Sequence, residues 1–157
     1  MMERHTEEES IQIVAFMLGE EEFAFDISCV REIIRSAGIT KVPKSNPLIE
    51  GVINLRGNVI PIVDLRKRFH LEPRPYTRST RIIVISINEI TVGLIVDAVL
   101  ETKKIEASCI EPPSTIAMGC VENEYIAGVA KLEDRLLSLL DIDKVISFDE
   151  SEGARDA

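Results

Sequence analysis

The sequence has no tryptophan, five phenylalanines and two tyrosines among its 157 residues. Its three cysteines, Cys29, Cys109 and Cys120, include no C-x-x-C pair, which argues against a disulfide framework and against a zinc site. No apolar run approaches the ~20 residues that a membrane-spanning helix needs, and the acidic residues 1–10 lack the apolar segment of a secretory signal. We therefore expect a cytoplasmic protein with no direct membrane insertion.

The apolar residues that are present are mainly β-branched, with 22 isoleucines and 13 valines. Such side chains pack well on a pleated surface, so they favour strands. Alternating apolar and polar residues, interrupted by short polar turns, predict four hairpins. They span residues 11–27, 52–65, 81–99 and 129–142. The sequence predicts a mainly β fold with minor helix.

Two segments of the chain recur. The pattern GVINL with its following strand and VDL at 51–65 returns as GVAKL and LDI at 128–142. Upstream, an alternating pattern from Phe23 to Glu32 returns at a similar offset between Val92 and Glu101. We interpret this as an internal duplication of a β unit with about five strands, the size of a small barrel. The predicted lobes are about residues 18–80 and 81–147, with a first strand shared between the lobes as the alternative, and acidic flexible tails are predicted at 1–10 and 148–157.

The net charge of -9 is unevenly distributed. Residues 31–81 contain eleven lysines and arginines against four acids, whereas both tails are acidic. A basic segment can bind nucleic acid, but Phe69 and Tyr76 are its only aromatic residues, so it offers no stacking platform. We predict no nucleic-acid partner.

No convergent catalytic motif is visible. His70 is the only histidine outside the N-terminal tail, and a dyad with Cys109 or Cys120 would need the fold to bring them together. No phosphate-binding glycine loop occurs, and Asp141 and Asp143 are explained by strand alternation and a helix start rather than by a metal. We predict a protein that is not an enzyme, with no cofactor and no metal. A small cysteine-dependent hydrolase is the least favoured alternative.

The chain resembles the CheW family of chemotaxis coupling proteins. The resemblance rests on an ordered set of motifs over about residues 11–147, including VREII, TKVP, the NLRG core with VDL and RKRF, VGLIVD and YIAGVAKL with LDI. These lie at residues 30–34, 40–43, 51–69, 92–97, 125–132 and 140–142. The resemblance implies two SH3-like five-stranded barrels in a single domain at 11–147. A CheV-type coupling domain or another SH3-like binding barrel is the alternative.

The resemblance also implies a function. Family members are non-catalytic adaptors that couple methyl-accepting receptors to the regulatory domain of the histidine kinase CheA, at receptor arrays beneath the inner membrane. The matched receptor-binding positions are Val30, Glu32, Ile33, Leu55, Arg56 and Gly57, and the matched kinase-binding positions are Ile39, Thr40 and Val42. Glu32 and Arg56 are the opposite charges of the first set, and we expect them to form an ion pair beside the receptor groove.

Overall fold

The computed structural model describes residues 10–35, 38–41, 47–112 and 123–147. Eleven strands and two short helices occur in these ranges. The strands are β1 (Ser10–Leu18), β2 (Glu21–Asp26), β3 (Val30–Arg35), β4 (Ile49–Leu55), β5 (Asn58–Asp64), β6 (Arg81–Ile87), β7 (Ile90–Val96), β8 (Ala98–Glu106), β9 (Ile110–Glu111), β10 (Ile126–Leu132) and β11 (Arg135–Leu140). The helices are α1 (Leu65–Arg68) and α2 (Ile142–Val145), and 3-10 turns cover Ile27–Cys29, Ala107–Cys109 and Asn123–Tyr125. The expected mainly β architecture is confirmed.

The strands form two sheets. The six-stranded sheet has the order β8-β1-β2-β11-β10-β9, and the five-stranded sheet has the order β3-β6-β7-β5-β4. Neighbouring strands are antiparallel except for two parallel pairs, β2 with β11 and β7 with β5. These parallel pairs occupy equivalent places in the two sheets, so the topology repeats as the duplication predicts.

The sheets divide the chain differently from the lobes expected at 18–80 and 81–147. The hairpin β1–β2 belongs to the same sheet as β10 and β11, and the hairpin β6–β7 belongs with β4 and β5. The strand after each hairpin crosses to the other sheet, because β2 is already flanked by β1 and β11, and β7 by β6 and β5. Closed barrels were also expected, and this is wrong: within the described residues, the outer strands β3 and β4 do not pair.

The two short helices show how closely the halves correspond. Helix α1 begins after Asp64 and α2 begins after Asp141, and both aspartates cap their helix with a side-chain oxygen. The two caps are separated by the same offset as the GVINL and GVAKL segments of the sequence repeat. Aspartate is favoured at this position because its carboxylate accepts a hydrogen bond from an otherwise unpaired backbone N–H.

The hydrophobic core has three parts. The largest cluster contains residues of both sheets, among them the buried rings of Phe16, Phe23, Phe25 and Phe69, and joins the two lobes into one unit. Each sheet also carries a smaller cluster composed of its own residues, around Ile13 and Leu137 in the six-stranded sheet and around six residues of the five-stranded sheet. Alternate side chains of a strand point to opposite faces, so one strand can contribute side chains to two clusters.

Candidate functional site

The candidate receptor-binding residues lie on strand β3 and on the turn between β4 and β5. Strand β3 contains a bulge, because Val30 pairs with Ile85 whereas Glu32 pairs with Val84. A bulge adds one residue to a strand and redirects its side chains. Val30 therefore packs against the core shared by the two sheets, while Glu32 lies on the face that carries the five-stranded sheet's own cluster.

Glu32 and Arg56 form the expected ion pair. Arg56 Nη1 and Nη2 donate to Glu32 Oε2 and Oε1, each at 2.8 Å, in a bidentate arrangement. The hydrogen bond from Arg56 holds the pKa of Glu32 below its ordinary value, and the same bond raises the pKa of Arg56. The Arg56 side chain is 68% exposed, so the pair adds little to the free energy of unfolding, and its main effect is to hold the two side chains in place.

The Arg56-Gly57 turn has a constrained backbone. Arg56 has a φ of 53° and Gly57 a φ of 88°, so both lie in the left-handed region that disfavours most side chains. Asn54 Oδ1 accepts a hydrogen bond from the Gly57 N–H at 2.9 Å and stabilises this turn. The role of Asn54 was missed from the sequence, although an asparagine shortly before a glycine is typical of such turns.

The ion pair connects the two outer strands of the five-stranded sheet. Glu32 belongs to β3 and Arg56 follows β4, so the pair bridges the side at which the sheet does not close. A cavity of about 730 Å³ opens beside it, bordered among others by Leu55, Val59 and Val84. Val59 is 67% exposed, so apolar surface adjoins the charged pair. The structure thus brings Glu32, Leu55, Arg56 and Gly57 together and places Val30 and the partly exposed Ile33 on the opposite face of β3.

Two of the candidate kinase-binding residues are described. Thr40 pairs with Val52 through two backbone hydrogen bonds of 2.8 Å, which adds a short bridge to the outer strand β4. Ile39 is half-buried and packs against the cluster of the five-stranded sheet. Val42 lies outside the described residues.

The six-stranded sheet carries a second ion pair at a related position. Arg135 Nη2 donates to Glu101 Oε2 at 2.6 Å, and Arg135 Nε lies 3.4 Å from Glu22 Oε1. Glu101 is the repeat equivalent of Glu32, and Arg135 lies just beyond Glu133, the repeat equivalent of Arg56. An arginine–glutamate pair therefore joins β3 to the β4–β5 hairpin in one sheet and β8 to the β10–β11 hairpin in the other. The sequence did not predict this second pair.

A partly buried network connects the two lobes near helix α1. Arg66 Nε and Nη2 donate to the two oxygens of Asp97 at 3.0 and 2.5 Å, and the Gly19 N–H donates to Asp97 Oδ2 at 2.7 Å. Gly19 lies in the turn of the six-stranded sheet's first hairpin, and Arg66 belongs to α1 beside the five-stranded sheet. Burial raises the pKa of Asp97, but the hydrogen bonds from Arg66 and Gly19 outweigh it and hold the pKa below its ordinary value of 3.8.

We expect the contribution of this network to the free energy of unfolding to be lost at acid pH. Because the folded pKa of Asp97 is lowered, its contribution is present above about 3.8 and is lost as the pH falls through the folded pKa. Asp97→Asn should lower the free energy of unfolding at pH 7 by on the order of 1–3 kcal/mol, since hydrogen bonds to a charged group are lost. Urea denaturation of both proteins between pH 7 and roughly pH 2 measures the difference. A difference that stays constant over this range would contradict the assignment.

The cysteine–histidine alternative receives no support from the described residues. Cys109 packs against the cluster of the six-stranded sheet, whereas His70 is exposed after helix α1, and no hydrogen bond joins them in this part of the chain. Cys120 lies outside the described residues. Burial raises the pKa of the Cys29 thiol, the opposite of what an activated nucleophile requires. In the described ranges, no helix is both long and apolar enough to span a membrane.

Known proteins are similar to this chain in sequence and in fold. A family model described as a CheW-like domain matches residues 12–150. The chemotaxis protein CheW of Helicobacter pylori is 34% identical over 143 residues, which are 90% of this chain and 85% of that protein. The crystal structure of the scaffolding protein TtCheW from Thermoanaerobacter tengcongensis has a TM-score of 0.80 and 37% identity, covering 87% of this chain and 92% of that one. Chemotaxis protein CheV3 of Helicobacter pylori is 27% identical and is covered over only 40% of its length.

Two related β-sheets around a shared core, with paired charges at their open sides, define a two-lobed SH3-like scaffold domain. The chain belongs to the CheW-like family of chemotaxis scaffold proteins. In sequence, the chain is more similar to the Helicobacter pylori CheW, at 34% identity, than to CheV3 of the same organism, at 27%. Since the relatives are scaffold proteins, the family also supports the expectation that this chain is not an enzyme.

Proposed function

We propose that this protein couples methyl-accepting chemotaxis receptors to the histidine kinase CheA, at receptor arrays beneath the inner membrane. The receptor tip binds at the site formed by Val30, Glu32, Ile33, Leu55, Arg56 and Gly57. The regulatory domain of the kinase binds at Ile39, Thr40 and Val42. The observation that carries the proposal is the bidentate Glu32–Arg56 pair beside exposed apolar side chains.

The geometry suits recognition of a helical partner. The ion pair and the Asn54 hydrogen bond fix a turn that is otherwise unfavourable, so the surface is formed before the partner arrives. A surface that is already ordered loses less conformational entropy on binding. Val59 on β5 and Ile33 on β3 supply exposed apolar area, the kind of surface that accepts the apolar stripe of an amphipathic helix.

Arg56→Ala tests the receptor site. The substitution removes the ion pair from an exposed position, so we expect folding and kinase binding to remain close to wild type. Receptor-dependent kinase activation should be lost, because the turn no longer holds its binding conformation. The measurement is phosphorylation by the kinase in reconstituted receptor–kinase–scaffold complexes, alongside thermal denaturation of the variant.

Arg135→Ala is the matched control, since it removes the related pair with Glu101 from the other lobe. This variant should retain receptor-dependent activation. The double charge reversal Glu32→Arg with Arg56→Glu should recover part of the activity that Arg56→Ala loses. Normal activation with Arg56→Ala, or equal losses in Arg56→Ala and Arg135→Ala, would show that the receptor site lies elsewhere.

A further inference from the structure

A second cavity, of about 610 Å³, lies beside Ile39, and its lining shares no residue with the cavity at the Glu32–Arg56 pair. The extended segment after helix α1 forms one wall through Pro73, Pro75 and the ring of Tyr76. Its charged lining residues are Lys41, Glu50, Asp64, Lys67 and Arg74. The cavity thus has both apolar and charged lining residues, and neither the family comparison nor the receptor site accounts for it.

Asp64 is the unusual member of this lining. The residue is only 7% exposed, and its Oδ1 accepts a hydrogen bond of 2.9 Å from the Arg66 N–H at the start of α1. Within the described ranges, no hydrogen bond or ion pair reaches the second oxygen, Oδ2. Burial raises the pKa of Asp64, and the charge of Glu50 raises it further. A largely buried carboxylate is incompletely paired when one of its oxygens has no protein partner, and a cation that reaches this oxygen would pair with it.

The two lysines of the lining are both paired with Glu50. Lys67 Nζ lies 2.8 Å from Glu50 Oε1, and Lys41 Nζ lies 3.5 Å from Glu50 Oε2. Both lysines therefore form ion pairs with Glu50, whereas Asp64 has no ion pair in the described part of the chain. Lys41 is also 78% exposed at its side chain, so it stays at the rim. Glu50, Asp64 and Lys67 together carry a net negative charge, and Lys41 and Arg74 are the further basic residues of the lining.

We propose that this cavity receives a basic side chain, arginine or lysine, of the partner that binds at Ile39 and Thr40. The cationic head would lie against Asp64 Oδ2, and the aliphatic stem would pack against Pro73, Pro75 and the ring of Tyr76. Aromatic faces attract cations, and long basic side chains bury their stems along apolar surface. The proposal rests on the proposed function in that the partner is the kinase regulatory domain.

Asp64→Asn is the decisive variant. Asparagine keeps the oxygen that caps α1, so the fold is retained, and the buried negative charge disappears. The matched control is Asp141→Asn, which changes the same cap at the repeat-equivalent position of the other lobe. Calorimetric titration with the kinase regulatory domain should show a roughly tenfold to hundredfold weaker Kd for Asp64→Asn and an unchanged Kd for Asp141→Asn. The free energy of unfolding of Asp64→Asn should not fall, because the folded state disfavours its ionised form.

Two other outcomes are informative. If the partner instead presents an acidic group to Lys41 and Arg74, Asp64→Asn should tighten binding, which overturns the proposal. Equal Kd values for Asp64→Asn and wild type also overturn it and leave the proposed kinase partnership intact.

A second probe keeps the test independent of the kinase. N-acetyl-arginine methylamide should cause saturable NMR shifts at Lys67 and Tyr76 in wild type, and these shifts should be absent in Asp64→Asn. If the kinase domain does not bind wild type, the proposed function fails while these shifts still decide the chemistry of the cavity. No shifts with wild type, or the same shifts in Asp64→Asn, would show that the cavity does not select a basic group.

Discussion

Gly51→Asp is expected to destabilise the protein by about 4 kcal/mol, within the severe class of point substitutions. A β-carbon at Gly51 would lie 2.8 Å from Ile39 Cγ2 and closer still to the carbonyl oxygen of Thr40. The Thr40 backbone is held by two hydrogen bonds to Val52, so it cannot move away without breaking them. An aspartate at this buried position would also place a carboxylate in an apolar environment.

The repeat predicts a related and smaller effect at Gly128. A β-carbon there would lie 2.8 Å from Ile110 Cγ2 and 3.3 Å from the carbonyl oxygen of Glu111. The first contact is with a side-chain methyl and the second is less severe, so we expect about 2–3 kcal/mol for Gly128→Asp. Ala127→Asp adds the same charge at the neighbouring exposed position and is the control.

Urea denaturation of the three variants gives the free energies of unfolding that decide the comparison. Gly51→Ala and Gly128→Ala, which add the β-carbon without the charge, separate the steric part from the desolvation part. Wild-type stability in the two aspartate variants would mean that the two glycines are not close-contact positions and that their equivalence in the repeat carries no structural consequence.

The second large effect is expected at Arg68. This arginine is only 4% exposed, and it donates to the carbonyl oxygens of Val145 at 2.7 Å, Ser147 at 2.9 Å and Lys144 at 3.1 Å. These carbonyls belong to or follow α2, whose last backbone oxygens have no partner within the helix. The guanidinium carbon also lies 5.1 Å from the centre of the Tyr125 ring. Helix α1 of one lobe therefore caps helix α2 of the other.

Arg68→Met should cost about 3 kcal/mol, because three carbonyl oxygens, that of the buried Val145 among them, lose a charged donor while most of the side-chain volume remains. For a chain of this length, the melting temperature should fall by roughly 6–12 °C. Arg78→Met makes the same change at an exposed position and should melt like wild type. Arg68→Lys should be intermediate, since an ammonium retains the charge and cannot span the three acceptors. Equal melting temperatures for Arg68→Met and Arg78→Met would refute the assignment.

Much of this architecture could be predicted from the sequence, because it depends on local patterns. Alternation of isoleucine and valine predicts strands, and the two recurring segments predict two related units. The Glu32–Arg56 pair was predicted from opposite charges in one matched set, and the structure contains it. Gly51 and Gly128 could likewise be recognised as equivalent from the repeat. The neighbouring atoms that exclude a β-carbon at these positions could not be predicted from it.

The sequence alone did not reveal which hairpin joins which sheet. Alternation specifies that a strand has a buried face, and it carries no information on its neighbours, so exchange of β3 and β8 between the sheets became visible only in the fold. The bulge in β3, which places Val30 and Glu32 on opposite faces, could not be predicted either, because it depends on how β3 pairs with β6. Contacts distant in sequence, such as Arg68 with Ser147 and Asp97 with Gly19, have no local signature either. The composition and the repeat thus determined two β lobes, and tertiary packing decided how they interlock and which charges became buried.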